Sequence, residues 1–131
     1  MANLLQAIGA YRPKLVLGKS VKMKRLVEFI SSRTGLNKGE IQIVLSELSE
    51  TVTFFNKQGQ GVKLEGLGTY LPGIDTKGTI SISHRLDSSI KDALNAKGAY
   101  LGDINNRENI GKTNEEYIQM WNADHPDDPV S

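Results

Sequence analysis

From residue 21 the apolar side chains recur at helical spacing. Val21, Met23, Leu26, Val27, Phe29 and Ile30 fit one broad face, and the run stops at Thr34-Gly35, where glycine supplies a left-handed cap. Asn37, with Glu40 three residues on, has the form of a capping box. Behind it Ile41, Val44, Leu45, Leu48, Val52 and Phe55 repeat at three, four and seven, which predicts a second helix to about Lys57. After Gln58-Gly59-Gln60-Gly61 the period falls to two. Val62, Leu64 and Leu67 separate Lys63 and Glu65, and Gly66 and Gly68 bracket Leu67 where the strand turns or bulges. Thr69, Tyr70 and Leu71 continue extended as far as Pro72-Gly73. Past the short tip at residues 75–78, Thr79, Ile80, Ser81, Ile82 and Ser83 alternate as a half-buried return strand. Asp87 caps a third helix carrying Ile90, Ala93 and Leu94, which stops around Lys97-Gly98. The expected order is ααβββα.

The flanks carry weaker patterns. Residues 1–20 show no clear period, although Leu15, Val16 and Leu17 after Pro13 suit a short strand before Gly18. Beyond Tyr100 the chain is rich in Asn, Gly and Asp. Thr113 and Glu116 then form a capping box ahead of Tyr117, Ile118, Met120 and Trp121, and predict a short amphipathic helix. Residues 125–131, with two prolines and two aspartates, read as an extended or frayed end. The organisation expected is an N-terminal extension over 1–20, one domain over 21–99, and an acidic C-terminal extension over 100–131.

Composition narrows the class. With 131 residues, 38% of them apolar and 24% charged, the chain suits one soluble domain with extensions. No apolar run approaches the roughly 18 residues of a membrane span. The N-terminus lacks the charged region and long apolar run of a secretory signal, and a cytoplasmic location is expected. The absence of cysteine excludes disulfides, thiolate metal sites and a cysteine nucleophile. The net charge of +1 conceals a gradient. Residues 1–38 hold Arg12, Lys14, Lys19, Lys22, Lys24, Arg25, Arg33 and Lys38 against Glu28 alone, whereas residues 103–131 hold two basic and seven acidic residues. An anionic partner would favour the first third.

Residues 24–94 resemble the HU and integration host factor family of bacterial histone-like DNA-binding proteins, in particular the short-armed HU-like domains of Bacteroidetes-type bacteria. Three features carry the resemblance. Two amphipathic helices are joined by Thr34-Gly35-Leu36-Asn37-Lys38. The string Val62-Lys63-Leu64-Glu65-Gly66-Leu67-Gly68-Thr69-Tyr70 matches the family's strand signature, and Ile90-Lys91-Asp92-Ala93-Leu94 looks like the start of its closing helix. The resemblance implies an α+β fold: a helical hairpin, a three-stranded antiparallel sheet with a short β-arm, and a closing helix, assembled as an intertwined homodimer. It implies double-stranded DNA as the partner, a nucleoid location, and Gly66, Gly68, Thr69 and Tyr70 as the structural hairpin.

The family's long arms reach into the minor groove and open a base step with an apolar wedge. Here only the eight residues 71–78 separate Tyr70 from the return strand, and Lys77 is the one cation among them, so the wedge does not carry over. What remains is backbone contact through the dimer body. The candidate contacts are Lys63, Lys77, Arg85 and Lys91 on the sheet and third helix, with Lys22, Lys24, Arg25 and Lys38 from the helical hairpin. Little sequence specificity is expected. The alternative is an HU-like fold used for protein assembly without DNA, motivated by the near-neutral total, the lost arm and the acidic tail. His84 reads as a surface or edge residue, His125 has no cysteine partner, and no spacing of Ser, His and Asp implies a nucleophile. No enzymatic activity, metal, cofactor, small-molecule substrate or membrane partner is expected.

Overall fold

The computed structural model describes residues 1–130. Its elements run α1 (Leu4–Tyr11), β1 (Lys14–Leu15), α2 (Met23–Thr34), α3 (Lys38–Lys57), β2 (Val62–Leu64), β3 (Gly68–Ile74), β4 (Ile80–Leu86), α4 (Ser88–Asn95), β5 (Ile104–Asn105), a 3-10 turn (Arg107–Asn109) and α5 (Asn114–Asp124). They fall into two compact units: a central one over residues 19–100, and a terminal one built from residues 1–18 together with 101–130.

In the central unit the periodicities are realised almost where they were read. Gly35 ends α2 at φ 75°, in the left-handed region that glycine enters without cost. The Asn37 side chain caps α3 by accepting from the Gly39 and Glu40 N–H groups. Asp87 caps α4 by accepting from the Ser89 N–H. The sheet is antiparallel in the order β2-β3-β4. One expectation needs correcting: β3 does not end at Pro72-Gly73 but passes through both to Ile74. Proline is tolerated because β2 reaches only as far as Tyr70, and beyond it β3 has one free edge on which a missing N–H breaks no ladder.

Register decides what each face carries. Val62, Tyr70 and His84 form one rank across the three strands, followed by the pairs Pro72–Ile82 and Ile74–Ile80 and flanked by Leu64, Gly68 and Leu86. This apolar side faces α3, with Leu45, Leu48 and Val52 opposite Leu64, Tyr70 and Ile82 across a cleft of about 440 Å³. The other face carries Lys63, Thr69 and Arg85 in one rank, then Leu71–Ser83 and Gly73–Ser81. Asn56 ties the end of α3 to β3, its amide donating to the Gln60 and Tyr70 carbonyls.

The core of this unit is small. Val27, Ile41 and Val52 are its buried apolar residues, while Leu26, Phe29, Ile43, Val44, Phe54, Ile74, Ile80 and Ile82 are exposed. Phe29 and Phe55, on the apolar faces of α2 and α3, are open to solvent in the single chain.

The terminal unit departs furthest from expectation. Residues 4–11, for which no period was read, form a helix opened by a capping box in which the Asn3 and Gln6 side chains each meet the other's backbone N–H. The capping box of Thr113 and Glu116 does open α5. Of the end expected to be frayed, residues 128–130 are tied back, and residue 131 lies outside the described residues. Trp121 Nε1 donates to the Asp128 carbonyl, the Val130 N–H donates to Asn122 Oδ1, and Val130 bridges to Ala2. The two ends are joined by β1 pairing with β5, by Asn109 and Asn106 donating to the Tyr11 and Arg12 carbonyls, and by packing of α1 on α5 around buried Ala7 and Tyr117. Tyr117 donates to the Asn109 carbonyl, so the aromatic residues of α5 latch this unit's own segments together.

Candidate nucleic-acid interface

The hairpin entry is set by two glycines with different jobs. Gly66 closes the β2–β3 turn at φ 80°, a conformation costly for any residue with a Cβ, with open space around it. Gly68 sits at φ 155° and is packed tightly: a Cβ there would overlap the Arg85 carbonyl oxygen and lie 2.6 Å from His84 Nε2. Thr69 and Tyr70 follow on opposite faces. The signature thus brings β4 against β3 so closely that Arg85 falls into rank with Thr69 and Lys63.

Of the eight candidate cations, that rank unites two. Lys63 and Arg85 flank Thr69 on the outward face, both exposed, and Lys63 stands 3.9 Å from the Glu65 carboxylate, in an ion pair open to water and worth little. Lys77 lies apart in the arm tip. There Asp75 accepts from the Lys77 and Thr79 N–H groups and Gly78 adopts φ 86°, which makes a closed, ordered turn. Lys91 is on α4. The hairpin group divides as well. Lys22 is the residue before α2, with Lys24 and Arg25 in its first turn, whereas Lys38 opens α3 at the far end of α2, about 18 Å away along the axis. The α2 start has no acidic residue in its first turn and no side-chain cap, and Lys22, Lys24 and Arg25 fall within four consecutive residues there.

Asp87 limits the positive rank at the sheet edge. Its carboxyl is held below the usual carboxylate range, mainly by the backbone and side-chain hydrogen bonds of Ser89, with smaller help from the Gly66 N–H and the Lys63 charge. The anionic form is therefore built into the cap of α4.

The sequence reads His84 as a surface or edge residue. It lies inside β4 and is exposed, but on the apolar face, its ring 4.7 Å from that of Tyr70. His125 stacks on Trp121 at 3.8 Å, and the neighbouring Asp124 accepts from the Tyr11 hydroxyl.

No helix among the described residues is long and apolar enough to cross a membrane. No curated protein matches the chain. A family profile described as an HU domain fused to a winged helix-turn-helix, Ig or glycine-rich motif matches residues 7–93, from within α1 to within α4, and so takes in the helical hairpin, the sheet and the glycine signature. With two thirds of its length matched, the chain belongs to this HU-HIG family.

Proposed function

We propose that the protein is a non-enzymatic, nucleoid-associated homodimer that binds duplex DNA along its phosphate backbone with little base specificity. The observation that carries the DNA reading is the rank Lys63–Thr69–Arg85. It puts two exposed cations and a hydroxyl on the outward face of the sheet, at the position to which the family's glycine hairpin brings them. The central unit holds twelve basic and eight acidic residues, whereas the terminal unit holds four basic and seven acidic. Cationic character is thus concentrated where the HU-like fold is, and two copies double the rank. The ordered four-residue arm tip offers no insertion element, so phosphate contact rather than wedge-driven bending is the mechanism.

The homodimer rests on the open core. A unit of this size buries well over half of its surface when it is complete. Here the helix-facing side of the sheet and the outer faces of α2 and α3 remain exposed, and the buried Asn56 Oδ1 has no hydrogen-bond partner in the single chain.

Titration of a labelled duplex at low and moderate salt tests the reading. Binding that weakens with salt, with a log–log slope corresponding to about four to six neutralised phosphates, is expected. Absence of binding at about 50 mM salt with protein at tens of micromolar would leave protein assembly as the function of the fold.

A further inference from the structure

In the single chain the imidazole of His84 is exposed on the apolar side of the sheet. It lies in β4 between Ile82 and Leu86, on the side of the sheet that faces α3, in rank with Tyr70 and Val62. Its ring is tilted 42° against that of Tyr70, and Nε2 overlies Gly68, whose missing side chain makes the room. The groups sharing this face are Val62 and Leu64 from β2, Tyr70 and Pro72 from β3, and Ile80, Ile82 and Leu86 from β4. Across the cleft, α3 contributes Leu45, Leu48, Ser49, Val52 and Thr53. The Tyr70 phenol is the one other titratable group in that set. Arg85 and Lys63 project to the opposite face, and the Asp87 carboxylate is engaged at the cap of α4.

We infer that His84 makes assembly of the protein pH-dependent: the dimer forms with neutral imidazoles and is weakened when they take up protons. The inference rests on the homodimer reading. Covering this face with a second chain moves His84 from water into surroundings of Ile, Leu, Val and Tyr, and the described residues that share the face include no carboxylate. Desolvation penalises the charged form alone. Assembly therefore expels a proton from each His84 at acid pH. The sign follows: the dimer is strongest above the range in which imidazoles titrate and is lost as pH falls through it. With two imidazoles per dimer, the dissociation constant rises by up to about a hundredfold per pH unit below that range. Histidine is the one side chain whose ordinary titration lies between about pH 5 and 8, and this chain has only His84 and His125, so the effect is attributable.

Sedimentation equilibrium of the full chain between about pH 8 and pH 5.5, with far-UV circular dichroism at each pH to confirm that the chain stays folded, tests this. The wild type and His125→Gln should dissociate progressively on acidification. His84→Phe should remain dimeric throughout. His84→Gln, which cannot titrate, should show a pH-independent constant even if its packing is poorer. A wild-type dimer with an unchanged constant across the range, or one that tightens on acidification because the partner brings a carboxylate, overturns the inference and leaves the homodimer standing. A wild-type chain that is monomeric at every pH overturns both.

Discussion

The two units of this chain solve the same problem in opposite ways. The terminal unit joins segments from the two ends of the chain, and it closes on itself: Tyr117 is buried with its hydroxyl on the Asn109 carbonyl, Asn109 and Asn106 satisfy the backbone at the end of α1, and Asp128 and Val130 are held by Trp121 and Asn122. The central unit is larger and more regular, with two amphipathic helices and a three-stranded sheet, yet it leaves its apolar faces open. Regular secondary structure creates broad apolar faces that need a second layer, whereas the irregular terminal unit finishes its backbone hydrogen bonds locally. The regular unit is the one whose apolar faces lack a second layer in the single chain.

The strongest way to break this comparison is to truncate an apolar residue that is exposed in the single chain. Phe29 is 58% exposed and makes a contact with Arg33 through its ring. If solvent were its final environment, Phe29→Ala would change stability by no more than about 0.5 kcal/mol. Covered by a second chain, it should cost about 3–5 kcal/mol and make the urea midpoint more dependent on protein concentration. Trp121 is the only tryptophan and belongs to the terminal unit, so its fluorescence reports that unit separately. Its midpoint should stay put while the circular dichroism midpoint falls.

A second substitution sharpens the distinction within the central unit, between what needs a partner and what the backbone requires by itself. Gly68→Ala forces a Cβ onto the Arg85 carbonyl at φ 155° and should cost about 3 kcal/mol regardless of protein concentration, whereas Gly66→Ala, with open space at φ 80°, should cost about 1 kcal/mol. Equal losses at the two sites would show that only the conformation matters. Gly68→Ala should also shift Arg85 out of rank and weaken duplex binding further than its stability loss explains. Lys63→Ala and Arg85→Ala leave the fold intact, and each should lower the salt slope of duplex binding by about one.

What could be read from the sequence follows the same division. The central unit was legible because its elements are long and periodic and their ends carry Gly35, Asn37 and Asp87. The alternation of Ile80, Ile82, His84 and Leu86 even contains the placement of His84 on the apolar face, but it shows only when the strand is carried past Ser83 to Leu86. The grouping of the cations was not legible. Lys63 joins Arg85 only through a register set by the Gly66 turn, and Lys38 is separated from Lys22, Lys24 and Arg25 by the length of α2. The terminal unit was least legible: α1 has eight residues and an Asn–Gln box in place of the usual Ser or Thr with Glu, and the hydrogen bonds joining the ends span more than ninety residues, with no local trace.

The smallest expected effect tests whether the terminal unit is as self-contained as its bonds indicate. The Tyr11 hydroxyl donates to the Asp124 carboxylate at 2.5 Å, linking α1 to the end of α5. The phenol is pushed up from 10.0 to about 12, first by that hydrogen bond, then by burial and the charge of Asp124. A raised value in the folded state means that the protonated phenol is the form the fold stabilises. Its contribution is full below about pH 10 and disappears as pH rises through about 12. Tyr11→Phe should therefore lower the Trp121-reported midpoint by the equivalent of about 1 kcal/mol at neutral pH, a partly exposed hydrogen bond being worth no more. The gap between wild type and variant should narrow as the solution is made alkaline, while the circular dichroism midpoint of the central unit and the duplex affinity stay unchanged. A fall in both midpoints together would mean that the two units unfold as one, and that the closed terminal unit lends its stability to the open one.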